Sequence, residues 1–184
     1  MWVDRRQPLR PAPVTGWLNR VQTSVVGFVT LRAMGTFDVV ENFTQDIAEI
    51  GWTVAAITGD RTGCDWAYSV GLDLTYDHPE LIIVGVDAPL AGAIVQAMAE
   101  KVSEGADLRD CGTVHVGPMQ LRFRAVDGLF CSQGDWFNLG RLVMAEMGRS
   151  WPETLQIVWA DANGRYPEAP GEPDWFMRQP LLVG

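Results

Sequence analysis

The chain has 184 residues, 47% of them hydrophobic, which is enough for one well-buried core and too few for two full-sized domains. Its charge is uneven: residues 1–33 hold five arginines and one aspartate, whereas residues 34–184 hold nine basic and 22 acidic side chains. Nucleic acid is bound by clustered Lys and Arg, and a bilayer span needs roughly 18 to 20 consecutive apolar residues; the acidic body offers neither, so we expect no nucleic-acid or membrane partner.

Residues 1–37 are predicted to form an irregular N-terminal extension. Three prolines fall within six positions, residues 8–13, and no apolar period is visible. The Arg-rich composition is similar to that of an organelle-targeting peptide, but the prolines oppose the amphipathic helix that such a peptide needs. Met34 stands just before the first helix signal and is an alternative start of the natural chain.

The first regular elements are predicted to be a helix and a hairpin. Asp38 and Glu41 have the spacing of a capping box, and the apolar residues after them keep helical spacing until Gly51 ends the helix. Residues 52–57 and 66–72 then read as two strands separated by turn residues. We expect Tyr68 and Val70 to face one side of the second strand and Ser69 and Gly71 the other, before the chain turns through residues 73–77.

The middle of the chain predicts a central strand and a second helix. Residues 81–86, LIIVGV, have no polar face and therefore predict a strand that is covered on both sides. Asp87 caps a helix that runs over residues 88–103, with a proline in its first turn. Residues 113–116 and 121–126 flank a Gly-Pro turn and predict a pair of short strands.

The last third predicts one more helix and one more strand. The helix begins near Asp135 and is ended by Gly148, and the strand covers residues 154–161 before an Asn-Gly turn. Residues 165–182 are proline-rich but carry too many apolar side chains to stay exposed to solvent, so we expect this tail to pack across the body.

This element order predicts an α+β fold. Hairpins are mixed with a helical crossover after the buried strand, which favours a mixed, largely antiparallel sheet over a doubly wound parallel one. Residues 38–184 are therefore expected to form a single α+β domain with about three helices packed on the sheet.

Five motifs in this order are similar to those of a known family. GWTVAAITGD, WAYSVGL, HPELIIVGV, LQIVWADANGRYP and QPLL resemble the strands and turns of the bacterial domain-of-unknown-function family 4262 (DUF4262). The resemblance covers roughly residues 38–182, and Ser69 stands where threonine is commoner in the family, which keeps the hydroxyl. The resemblance implies a small soluble bacterial domain without an established activity.

His78 is the first candidate for chemistry. Asp77 and Glu80 are close enough in sequence to orient its imidazole or raise its pKa, as a general base or a metal ligand requires. The same residues also suit a loop entering a central strand, where they satisfy backbone groups, and we favour this structural role. In either role we expect His78 and Glu80 at the edge of the sheet, within reach of solvent.

Eight tryptophans are the second clue. Most of them are expected to fill the core. The sharper interpretation is an aromatic-walled cleft, whose candidate pocket residues are Tyr68, Ser69, His78, Glu80 and Arg165.

No metal site, cofactor or catalytic nucleophile is indicated. Cys64, Cys111 and Cys131 form no C-x-x-C pair and suit the reducing interior of a cytoplasmic protein. His78 and His115 lack the spacing of a histidine-based zinc centre.

Two hypotheses about function follow from these residues. The first is a non-catalytic binding or accessory domain that holds a small molecule, a protein or a peptide. The alternative is a small hydrolase that uses His78 with Glu80 or Asp77. The sequence specifies neither the ligand nor the oligomeric state.

Overall fold

A computed structural model describes residues 36–59, 63–133, 135–167 and 179–182 of the chain. Residues 1–35, nearly all of the predicted N-terminal extension, lie outside the described residues. Residues 168–178 of the predicted tail lie outside them as well.

Five α-helices and six strands make up the described part of the chain. In order they are α1 (Thr36–Ile50), β1 (Thr53–Ile57), β2 (Trp66–Val70), α2 (Leu72–Tyr76), β3 (Glu80–Val84), α3 (Ala88–Ser103), β4 (Val114–Val116), β5 (Met119–Ala125), α4 (Gly128–Gln133), α5 (Asn138–Glu146) and β6 (Thr154–Trp159). A short 3-10 helix, Asp135–Phe137, leads directly into α5.

The six strands form one open mixed sheet in the order β1-β2-β3-β6-β5-β4. Only β3 and β6 pair in parallel; the other neighbours in the described sheet pair antiparallel, including the predicted hairpin β1–β2. This arrangement confirms a single α+β domain with a mixed, largely antiparallel sheet.

The central strand is β3, and the prediction that it is covered on both faces is confirmed. Ile82 and Ile83 are both 0% exposed. Ile83 belongs to an apolar cluster with residues of α3, whereas Ile82 belongs to a second cluster that includes Phe43 of α1 and Val143 of α5. Helices therefore cover both faces of the sheet, because a strand without a polar face must be buried on either side.

The three long helices are those that the sequence predicted, but α1 begins at Thr36, so Asp38 lies in its first turn and is not the predicted N-cap of a capping box. The helix predicted over residues 88–103 is α3, and the Asp87 side chain accepts the Leu90 N–H at 3.3 Å at its first turn. Helix α1 ends at Ile50, and the following Gly51 has a φ of +98°, the left-handed conformation of a C-terminal stop. The helix predicted from Asp135 begins as the 3-10 turn and continues as α5.

The two short helices α2 and α4 were not predicted. Residues 73–77 were expected to be a turn, and four of them instead belong to α2. A helix of five or six residues is too short for apolar periodicity to reveal it. Such a turn of helix forms because its surroundings stabilise it, since isolated short helices are marginal in water.

The end of the described chain packs on the body, as expected of the tail. Leu182 is 1% exposed, and the Gln156 side chain donates to the Pro180 carbonyl and accepts the Leu182 N–H, each at 2.8 Å. The Gln179 side chain accepts the Trp159 N–H at 2.8 Å and donates to the Trp159 carbonyl at 3.0 Å. Residues 179–182 are thus held along β6 by two buried amides, and we call them the C-terminal strap.

Candidate functional site

Glu80 is fully buried at the start of β3, which corrects the expectation that solvent reaches it. Its carboxylate accepts the Ser69 hydroxyl at 2.5 Å, the Gly71 N–H at 2.7 Å and the Asp73 N–H at 3.3 Å. Burial raises the pKa of Glu80 to about 7, although these three hydrogen bonds oppose the rise. The Ser69 oxygen in turn accepts the Leu81 N–H at 2.9 Å. The hydroxyl of this candidate residue is therefore used both as a donor and as an acceptor within the fold.

Local backbone geometry explains why this carboxylate is enclosed. Gly71 has a φ of +112°, and a Cβ added there would lie 2.8 Å from the Gly51 carbonyl oxygen, so the position requires glycine. The backbone turns sharply there into α2, and the Gly71 and Asp73 N–H groups at its start donate to Glu80. Glu80 therefore ties β2, α2 and β3 together.

His78 is also buried, at 2% exposed, which corrects its expected position at a solvent-accessible edge. Its Nδ1 lies 2.8 Å from the Pro79 carbonyl oxygen, and its Nε2 accepts the Leu108 N–H at 3.1 Å. These contacts assign the neutral tautomer with the proton on Nδ1. Burial lowers the pKa of His78, and the Asp107 carboxylate at 3.8 Å from Nε2 is too far for a hydrogen bond.

Tyr68 and Arg165 make their hydrogen bonds outside this network. Tyr68 is 1% exposed, its hydroxyl accepts the Gly140 N–H at 3.1 Å, and burial raises its pKa. Arg165 is exposed and binds the Asp161 carboxylate at 2.8 Å within the turn after β6. Among the five candidate pocket residues, then, Ser69 and Glu80 bind each other, His78 binds backbone groups, and none of the five lines the open cleft described next.

An open cleft of about 910 Å³ lies instead where β5 ends and β6 begins, between α4, α5 and residues 149–153. Its apolar lining includes Pro79, Phe123, Val126, Trp151 and Leu155. A smaller pocket of about 240 Å³ adjoins it and shares Arg109 and Phe123. Trp151 is the one tryptophan that lines the cleft in the described part of the chain, so the predicted aromatic wall is present only in part.

The ring of Trp151 is held rigidly. It stacks on Phe137 with ring centroids 4.8 Å apart, and its Nε1 donates to the Thr154 hydroxyl at 3.0 Å. A Cβ on Gly140 would lie 2.2 Å from the Trp151 ring, so α5 approaches the indole through a glycine. The indole therefore presents a fixed wall to the cleft.

Three arginines line the cleft: Arg109, Arg141 and Arg149, together with one acidic residue, Glu153. Sequence reasoning missed all three arginines. They stand on three separate segments, and the one signal in the sequence is their rarity, since residues 34–184 hold nine basic side chains.

Cys131 also lines the cleft, but its thiol is not activated. Burial raises its pKa, and the nearby Asp127 carboxylate raises it further. A raised pKa keeps the thiol protonated and poorly nucleophilic at neutral pH.

In the described part of the chain, no group of three or more His, Cys, Asp and Glu side chains could hold a metal ion. None of its helices has the length and apolar character that a membrane crossing requires.

The fold and these sites define a small α+β domain with a closed polar network at the start of β3 and, beside it, an arginine-lined cleft to which Pro79 also contributes. Residues 46–173 match the family model "Domain of unknown function (DUF4262)". Because this match spans more than half of the chain, the protein belongs to that family, as the five motifs predicted. No curated protein and no solved structure matches the chain.

Proposed function

We propose that the protein is a non-catalytic binding domain that holds a small molecule in the arginine-lined cleft. The cleft carries this proposal, because its volume of about 910 Å³ falls within the range of roughly 300 to 1,000 Å³ that is usual for small-molecule sites. Such sites combine apolar walls with a few polar groups, and this cleft joins Trp151 and Phe123 with three arginines.

The buried network supports binding over catalysis. Both ring nitrogens of His78 engage backbone groups, so the imidazole has to break a hydrogen bond before it can take a proton from a substrate. Glu80 is enclosed and bound by three donors, and the Cys131 thiol stays protonated. These observations disfavour the alternative, a hydrolase that uses His78 with Glu80 or Asp77.

We also propose that the protein works in the reducing cytoplasm of a bacterium. Cys64, Cys111 and Cys131 are all free thiols, which suits a compartment where thiols stay reduced.

A thermal-shift screen against metabolites tests the proposal, because a ligand selective for the folded state raises the melting temperature. Ala145 lines the cleft from the exposed side of α5, so Ala145→Trp fills it without disturbing the core. Leu142 is 52% exposed on the same helix and outside the lining, so Leu142→Trp is the matched control.

We expect a ligand to stabilise the wild type and Leu142→Trp but not Ala145→Trp. A ligand that stabilises Ala145→Trp equally would place the binding site elsewhere. Hydrolysis of an ester or amide library by the wild type, abolished by His78→Ala, would support the hydrolase instead.

A further inference from the structure

The cleft concentrates positive charge in an acidic protein. Residues 34–184 carry nine basic and 22 acidic side chains, yet the cleft lining holds three arginines and a single acidic residue, Glu153. Two carboxylates outside the lining offset part of this charge, because Asp107 pairs with Arg109 at 3.2 Å and Asp73 with Arg149 at 3.7 Å. Charges of one sign in a concave, partly apolar surface focus the electrostatic potential there and attract ions of the opposite sign.

Two of the arginines are fixed in place before any ligand arrives. Arg141 donates to the Cys131 carbonyl at 3.1 Å and to Asn138 Oδ1 at 2.5 Å. Arg109 donates to the Asp77 carbonyl at 2.7 Å and to the Asp107 carboxylate at 3.2 Å. Guanidinium groups held this way lose little conformational freedom when a ligand binds beside them.

The third arginine is held loosely. Arg149 is 57% exposed, and its Nη2 lies 3.7 Å from the Asp73 carboxylate, beyond ordinary hydrogen-bond distance. An exposed ion pair of this kind is weak, so Arg149 can turn toward a ligand at little cost.

The apolar side chains that line the cleft beside the arginines favour a particular shape of ligand. Trp151 is fixed by its stacking on Phe137 and its hydrogen bond to Thr154, and Phe123 lines the same space. Flat rings pack favourably against such aromatic side chains.

From this juxtaposition we propose that the ligand is an organic anion, with a carboxylate or phosphate group at the arginines and a flat apolar body against Trp151 and Phe123. This inference rests on the proposed binding function. Arginine suits such a ligand because its planar donors match carboxylate and phosphate oxygens.

Three probes of the same size and different charge test the inference: 2-naphthoate, neutral 2-naphthalenemethanol and cationic 2-naphthylmethylammonium. Their dissociation constants are measured with the full chain by NMR titration at low salt. We expect 2-naphthoate to bind at least tenfold more tightly than the neutral probe, and the cation most weakly. This preference should shrink in high salt, because salt screens exposed charges.

Arg149→Gln tests whether the arginines cause the preference, and it leaves the fold intact because the exposed Arg149 side chain makes only a weak ion pair with Asp73. We expect this change to weaken 2-naphthoate about tenfold while the neutral probe changes less than twofold. Arg141→Gln should act in the same direction, and Lys101→Gln, which removes a positive charge on α3 outside the lining, is the control.

The outcomes separate the inference from the proposed function. Equal or tighter binding of the neutral or cationic probe, blocked by Ala145→Trp, would overturn the anion assignment and leave the binding function intact. An anion preference unchanged in both Arg149→Gln and Arg141→Gln would overturn the role of the arginines. No saturable shift with any probe would contradict the cleft as a ligand site, and the inference with it.

Discussion

His78 and Glu80 stand two positions apart, and burial moves their pKa values in opposite directions. Burial disfavours the charged form of each group, so it lowers the pKa of the imidazole and raises that of the carboxyl, to about 7. Both side chains bind mainly backbone N–H and carbonyl groups, and Glu80 also accepts the Ser69 hydroxyl. Their shared role is therefore to satisfy the backbone where the chain enters β3.

The first prediction concerns the imidazole. His78→Ala removes the acceptor of the buried Leu108 N–H and should lower the free energy of unfolding by about 1 kcal/mol or more. His115→Ala is the matched control, because His115 is exposed on β4 and should cost little. Urea denaturation of the two variants measures the difference.

A ligand found by screening should keep its affinity in His78→Ala. If that variant is as stable as the wild type but no longer binds, His78 belongs to the binding site and its structural assignment is wrong.

The second prediction concerns the pH dependence of stability through Glu80. Its pKa is about 7 in the folded protein and 4.5 in the unfolded chain, so between these values the unfolded chain releases a proton that the fold retains. The raised pKa of Glu80 therefore adds to the free energy of unfolding in full below pH 4.5, and this addition is lost as the pH rises through about 7. The nearby Asp73 carboxylate acts in the same direction as burial.

Glu80→Gln should remove this dependence, since the amide is neutral at every pH. The stability of the wild type relative to Glu80→Gln should therefore fall from pH 4.5 to pH 7 and level off above it. Urea denaturation of both proteins at several pH values measures it, and a constant difference across this window would contradict the assignment.

At the scale of elements, the C-terminal strap shows how a segment without regular structure is held in place. Gln156 and Gln179 are both 0% exposed, and their amides pair with backbone groups much as a neighbouring strand would. The Leu182 carbonyl also accepts the Asp127 N–H at 2.8 Å, so the strap connects β6 with the start of α4.

The third prediction tests these amides. Gln156→Ala leaves the Pro180 carbonyl and the Leu182 N–H without their partner, and should destabilise the protein by about 1 to 3 kcal/mol. Gln179→Ala should act similarly at Trp159, whereas Gln133→Ala, at an exposed position of α4, should cost less than about 0.5 kcal/mol. A loss in Gln156→Ala no larger than in Gln133→Ala, by urea denaturation, would show that the strap adds little.

At the scale of the whole molecule, one sheet separates two apolar clusters, and β3 contributes to both. Ile83 packs into the cluster beneath α3, and Ile82 into the cluster beneath α1 and α5. Because both clusters include residues of β3, loss of packing on either face weakens the pairing of β3 with its neighbours β2 and β6.

The fourth prediction follows from this sharing. Ile82→Ala and Ile83→Ala should each lower the free energy of unfolding by about 2 to 5 kcal/mol, and each should leave one cooperative transition. Far-ultraviolet circular dichroism and tryptophan fluorescence should report the same midpoint in each variant. Separated midpoints would mean that the two faces unfold independently.

Local signals predicted most of the elements. The strand predicted over residues 81–86, observed as Glu80–Val84, and the 88–103 helix were predictable because an apolar run and a capped amphipathic period are properties of contiguous residues. Helix α2 was not, because its five residues carry no period and its start is held by Glu80, later in the chain, which accepts the N–H groups of Gly71 and Asp73.

The sequence by itself determined the α+β class, the family, the hairpin and the buried central strand, because these depend on local periodicity, caps and motif order. Tertiary structure alone decided that His78 and Glu80 are enclosed and that Arg109, Arg141 and Arg149 line one cleft. The physical reason is that burial and the meeting of distant side chains depend on strand register and helix packing. Neither can be read from the neighbours of a residue along the chain.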